Sequence, residues 1–294
     1  MKTIVLLLLL MVSARGFRPL GSFRARLSVA LRSARPEQPT AAGSAASGHG
    51  HGHGGGHGHG HGGPPARDPN APYSFVQDDM RAYAMKLHTR DQAPREGQQP
   101  AEKPFTAWQP GRVEYLHFLV DSLLVYETMD KIVAKYPALA PFRQTGLERT
   151  DALREDLKWL VSFDPTLSVP SVGPSGLQYA AFLEALAAES LPKFMCHYYN
   201  HYFAHTAGGR MIGKKMADTL LGGTTLKFYQ WEGDVRALLD TTRVKMDAMA
   251  AGWSAEEKLA CLEETAACFR FGGGLMVYMK DPAASAKVGV AGAK

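Results

Sequence analysis

From Ser74 onward the chain is written almost wholly in helical periodicity, and that property narrows its fold more than any other. Val76, Met80, Tyr83 or Ala84, and Leu87 recur at helical spacing behind a Ser74–Gln77 capping box, which predicts a first helix running through His88. RVEYLHFLVDSLLVYETMDKIVAKY predicts a long second helix ending before Pro137, and GLERTDALREDLKWLVSF a third stopped by Pro165. PTLSVPSVGPSG reads as a loop. Beyond it, GLQYAAFLEALAAES, the long stretch LPKFMCHYYNHYFAHTAGGRMIGKKMADTLLG, GDVRALLDTTRVKMDAMAAGW and SAEEKLACLEETAACFRFGGGLMVYM complete the series, the last opened by Ser254 as cap. Strand alternation is nearly absent, and there is neither an internal repeat nor a sustained heptad pattern. The fold class is therefore all-α, a single irregular multi-helix domain over residues 74–280 followed by a disordered tail, 281–294. Its Leu, Ala, Met, Phe and Tyr content suffices for one core without disulfide or structural metal.

The first seventy residues differ sharply. Residues 1–16 combine Lys2, an apolar run from Ile4 to Val12, and small residues at Ala14 and Gly16, which is the pattern of a signal peptide. The run is too short for a membrane anchor, since a spanning helix needs about 20 apolar residues. Residues 17–47 are rich in Arg and Ser, with Glu37 the sole acid up to Thr40, the composition of a transit peptide. A signal peptide followed by a Phe-led basic region resembles the two-part leaders of algae with a plastid of secondary origin, so the expected destination is a plastid stroma; ordinary secretion is the other reading. Residues 48–73 form a linker in which Gly and His alternate, His49 to His61, and such a tract either captures metal or haem or merely spaces.

The formal charge of +5 owes much to leader arginines and gives no reason to expect nucleic acid as a partner. Cys196, Cys261 and Cys268 are odd in number, and the last two fall within one predicted helix, so reduced thiols fit better than a disulfide framework.

YFAHTAGGRMIGKK is the most informative segment. Gly208 and Gly209 together in mid-helix cost about 1 kcal/mol each relative to Ala, and Gly213 follows four residues on. Paired glycines let a helix bend and let its backbone approach a flat ligand; close packing of two helices explains them as well. In MRAYAMKLHTRDQA a lone His88 stands near a helix end with Arg81 seven residues earlier on the same face and Lys86 nearby. Such an imidazole can ligate iron while the cations pair with propionates, though a His on an amphipathic helix is more often packed or capping.

In order and spacing, MKLHTRDQA, FLVDSLLVYETM, TGLERTDALREDLKW, CHYYNHYFAHTAGGRMIGKK, FYQWEGD and CLEETAACF resemble the haem oxygenases of plants and algae, over essentially all of residues 74–272. The resemblance implies haem sandwiched between a proximal and a distal helix, with His88 as axial iron ligand. It places Gly208 and Gly209 of the distal helix against the haem, Tyr199 and Arg243 at the propionates and Arg81 at a basic position near the first-helix His, while the spacing of Gly213 keeps the same face bare. His205 stands where many relatives carry a distal Asp, a departure shared by plant-type members. The implied reaction consumes haem, O2 and electrons from reduced ferredoxin and yields biliverdin IXα, CO and ferrous iron for bilin chromophore synthesis. The expected protein is a monomer without a membrane anchor. A haem-binding carrier or sensor that has lost turnover is the alternative on the same fold.

Two further patterns stand beside the resemblance. His197, His201 and His205 fall four apart, so two of them have the spacing to share a metal, although no carboxylate is visibly placed to complete a site. Lys214 and Lys215 are either a docking patch for an acidic electron donor or a solvated face.

Overall fold

The computed structural model describes residues 72–90, 97–99 and 107–282. The leader, nearly all of the Gly/His linker and most of the tail lie outside the described residues. Within them the chain is helical, with no strand and a single isolated bridge, Thr89 to Gln99.

A π-helical turn, Phe75–Met80, leads directly into α1, Arg81–Leu87. Ser74 Oγ accepts the Gln77 N–H at 3.0 Å, as the capping box requires. The returning arm comes from Asp78, whose carboxylate accepts the Ser74 N–H at 2.8 Å, because the wider π turn brings the next residue to the cap. The helix stops one residue short of the expected end. His88 is extended at φ −70°, ψ 141°, and closes α1 rather than continuing it.

The core is built around α2, Arg112–Lys135, which is buried on several sides by Tyr115, Leu119, Val125, Tyr126 and Met129 among others. At 1.5 Å per residue it is about 36 Å long. Against it pack α3, Thr150–Phe163, and α4, Pro174–Glu189. Asp121, in the middle of α2 and buried, accepts the N–H groups of Gly173 and Gly176 at 2.6 and 3.0 Å. It thereby satisfies the first turn of α4, and a Cβ on Gly176 would strike Asp121, one on Gly173 the Tyr278 hydroxyl.

The long stretch after Ser190 is one helical run in three parts: α5, Leu191–Ala204, a π turn His205–Gly209, and α6, Arg210–Leu220. Then follow α7, Val235–Ala250, capped by Asp234, and α8, Ala255–Glu263, opened by a reciprocal Ser254–Glu257 capping box. The predicted single helix from Ser254 breaks after Glu263, so Cys261 lies on α8 and Cys268 on α9, Thr265–Leu275. A short α10, Val277–Lys280, ends the series against α2. All three cysteines are free and buried. No described helix is long and apolar enough to cross a membrane.

Candidate functional site

The end of α1 points an imidazole into the domain. His88 is half-buried, and its Nδ1–H donates to Ala84 O at 2.9 Å. That bond fixes the tautomer and leaves Nε2 with its lone pair, the arrangement by which a backbone carbonyl orients a histidine that can bind a metal. Phe269 of α9 meets the ring edge-on at 4.9 Å between centroids.

A second group collects on α5 and α7. Arg243 lies over the Phe203 ring at 5.0 Å and pairs with Asp240, while Phe203 and Tyr199 are in ring contact at 4.5 Å. Burial pushes the Tyr199 hydroxyl up to about 12, and the charges of both Arg243 and Arg81 pull against that rise. Two guanidinium groups therefore share one neighbourhood with a buried phenol. Arg81 and His88 are the two ends of α1, about 10 Å apart by helical rise, a separation of the order of the reach from a porphyrin's centre to its propionates.

The glycines of the π turn divide between two faces. A Cβ on Gly208 would meet nothing within 4 Å, and Ala204, Ala207 and Met211 beside it are exposed. On Gly209 it would fall 2.6 Å from His205 Nδ1, and on Gly213 it would fall 2.5 Å from the Tyr229 ring. Gly209 and Gly213 thus do share a bare face, as their spacing suggests, but that face is filled by the protein's own rings. Of the three, Gly208 alone has open space where a side chain would stand, while Gly209 and Gly213 are bare because His205 and Tyr229 occupy that space.

His205, at the position where many relatives carry a distal Asp, packs inward. It is buried, its Nε2–H donates to Phe228 O at 2.7 Å, and its ring stacks on Phe228 at 4.0 Å between centroids. Burial depresses its pKa to about 3, so the ring is neutral. The segment it grips is itself clamped. Asp156 accepts the N–H groups of Lys227 and Phe228 at 2.8 and 2.7 Å. Tyr229 and Tyr115 join hydroxyls at 3.1 Å. Arg149 donates to Lys227 O and Gln230 O and lies over the Trp231 ring.

A shared metal on the α5 histidines is not supported. Both nitrogens of His197 are engaged, Nδ1 by Tyr179 at 2.9 Å and Nε2 by Glu264 at 3.1 Å, and no metal-holding cluster occurs among the described residues. Lys215 is no surface cation either: its Nζ donates to Trp108 O at 2.6 Å, whereas Lys214 is exposed and pairs with Asp218. Sequence reasoning missed the α9 contribution. Gly272 and Gly273, one turn beyond Phe269, also face open space, and the run of three glycines in FRFGGGLM was the available signal.

Contrasting substitutions separate the two glycine faces. Gly208→Leu should leave thermal stability nearly unchanged while weakening binding of a planar ligand. Gly213→Leu must displace the Tyr229 ring, at a cost of about 1–3 kcal/mol, and a lowered Tm in that variant alone checks the division.

A protein-family model described as Heme oxygenase matches residues 81–276. The chain is 46% identical over 207 residues to the chloroplastic heme oxygenase 1 of Oryza sativa subsp. japonica, covering 70% of this chain and 71% of that one. It is 41% identical over 168 residues to the probable inactive chloroplastic heme oxygenase 2 of Arabidopsis thaliana, covering 56% of each. Among solved structures, heme oxygenase-2 of Synechocystis sp. PCC 6803 superposes with a TM-score of 0.51 at 16% identity, over 67% of this chain and 80% of that one, and supports the fold alone. A helix-end histidine with its outer nitrogen free, a paired-arginine neighbourhood and an open glycine on a π-turned helix thus accompany a family match across two thirds of the sequence, and the chain belongs to the haem oxygenase family, enzymes that degrade haem.

Proposed function

We propose that this chain cleaves haem at the α-meso carbon to biliverdin IXα, CO and ferrous iron, with O2 and electrons from reduced ferredoxin, in a plastid stroma where the product feeds bilin chromophore synthesis. The observation that carries the reading is the seating of His88, whose Nδ1 bond to Ala84 O leaves Nε2 as the candidate ligand atom at the edge of the core. Bound haem supplies both the iron at which oxygen is reduced and the ring that is oxidised. The protein supplies placement. His88 holds the iron from one side. Arg81 and Arg243, with the Tyr199 hydroxyl, pair with the propionates, and charge-assisted pairs of this kind fix which edge of the ring turns outward. Ala204 and Gly208 admit the opposite face of the ring at close range. His205 acts as a positioning residue, because its bond to Phe228 O anchors the π turn that carries Gly208.

The chloroplastic names of the plant relatives favour the plastid, in agreement with the two-part leader. Two relatives bear the name probable inactive heme oxygenase 2, and they keep a silent haem carrier or sensor as the second reading. Hemin added to the purified protein with ferredoxin, its reductase and NADPH separates them. Loss of the Soret band with growth of a biliverdin band is the expected result; a stable Soret band would mean a carrier, and no band at all would sink both.

A further inference from the structure

Cys196 on α5, Cys261 on α8 and Cys268 on α9 come from separate helices and meet in the core. The Cys268 thiol donates to Cys196 Sγ at 3.7 Å, Asn200 Nδ2 donates to the same sulfur at 3.4 Å, and Thr265 Oγ1 lies 3.4 Å from it. Cys261 also acts on the Cys196 thiol. Three polar groups thus converge on one sulfur, where a core thiol ordinarily packs as a small apolar group. Donors gathered in this way favour the thiolate, the reactive form of cysteine. Burial acts to raise the Cys196 pKa, but Cys261, Cys268 and Thr265, together with nearby His197, outweigh it and hold the thiol well below its usual range. Cys268 is pushed the other way, by burial and by Cys196.

The location is as telling as the chemistry. Cys196 lies one helical turn before Tyr199, and Cys268 immediately precedes Phe269, which packs against His88. We propose that Cys196 and Cys268 form a redox couple, Cys196 as nucleophile and Cys268 as resolving thiol, whose oxidation narrows the haem site. The second half of this proposal rests on the haem oxygenase reading; the first does not. With hydrogen peroxide as oxidant, the Cys196 sulfur attacks one peroxide oxygen, the O–O bond breaks and water departs, leaving a sulfenic acid. The Cys268 sulfur then attacks the Cys196 sulfur, the S–O bond breaks, and the oxygen leaves as water with the Cys268 proton. Two thiols lose two electrons and two protons, and one peroxide becomes two waters. A disulfide requires the sulfurs at about 2.05 Å in place of 3.7 Å, so its formation draws α5 towards α9, the helices bearing Tyr199 and Phe269.

The full chain, reduced and then treated with stoichiometric hydrogen peroxide, is quenched with catalase, denatured in an alkylating agent and mapped by peptide mass spectrometry. The expected product is a Cys196–Cys268 linked peptide, reversible by dithiothreitol, with Cys261 alkylated. Hemin titration of the oxidised protein should give an apparent affinity roughly tenfold weaker than that of the reduced protein, as when the competent conformation falls to about a tenth of the population. Cys268→Ser should instead trap Cys196 as a sulfenic acid that dimedone captures, with hemin affinity kept at the reduced value. Absence of a linkage, or a linkage through Cys261, overturns the couple, and a Cys196–Cys268 bond with unaltered hemin affinity overturns its link to the site. Failure of the reduced protein to bind hemin strikes the haem oxygenase reading, while the peptide map still decides the linkage by itself.

Discussion

His88→Ala is expected to abolish the histidine-ligated haem spectrum and, with it, turnover. Loss of even an outer-shell partner of a metal ligand typically costs 10–100-fold in affinity or activity, so loss of the ligand itself should exceed about 100-fold. The variant should fold, because His88 caps a short helix and is only half-buried. Free imidazole, added to fill the truncated site, should restore part of the spectrum. A spectrum unchanged by the substitution would move the ligand elsewhere, and the hydrogen bonds say where to look. His197 has both nitrogens engaged and His205 has its Nε2 on Phe228 O, which leaves His201, whose buried Nε2 has no protein partner.

The second large effect is acid destabilisation of the haem-free protein. Burial depresses His201 and His205 to about 3, with His197 adding to the effect at His201, and the Phe228 hydrogen bond opposing it at His205. An unfolded histidine titrates near 6.5. Between these values the unfolded chain binds protons that the native chain refuses, so stability rises with pH across the window. It is fully present above about 6.5 and is lost as pH falls towards 3. Asp156 acts in the opposite sense. Burial pushes it up to about 6 against the pull of the Phe228 and Lys227 N–H groups, so the native state holds a proton there that the unfolded chain has released. The burial-raised carboxyls of Asp121 and Asp130 have the same sign. The histidines therefore dominate at the top of the window, and a fall from about pH 7 to about 5.5 should cost on the order of 2 kcal/mol. Urea unfolding at the two pH values measures it. His205→Asn, which keeps an N–H for Phe228 O, should remove about half of the histidine contribution, and a slope that does not change would show that the ring is hydrated.

The helices themselves were legible because local rules govern them. Ser74, Ser254, Pro137 and Pro165 start or stop elements where periodicity says they should. The lone histidine and the arginines with Tyr199 were singled out through segment resemblance, since neither periodicity nor composition distinguishes them from packed or solvated residues; both arginines act electrostatically on Tyr199. What the sequence withheld was direction. Four-residue spacing correctly put Gly209 and Gly213 on one face, but the identity of that face depends on the π turn and on rings twenty residues downstream. Resemblance put His205 at the distal-Asp position but could not show that Phe228 offers it a carbonyl and a stacking surface. The thiol cluster was hidden because its members are brought together only by the packing of α5 against α8 and α9. Lys215 looked like half of a charge patch until its bond to Trp108 O tied it to the chain preceding α2.

The clasp around Phe228 determines which parts of this molecule can be inherited or transplanted separately. The orientation of His205 depends on residues 227–231, and that strip is held by Arg149 ahead of α3 and Asp156 within it. A chimera that borrowed only the glycine-bearing helix would carry the visible motif and lose its aim. The smallest exchangeable module joins residues 145–156 to 191–231, two stretches separated by a whole helix, so substitutions in either are expected to be tolerated only in company with changes in the other.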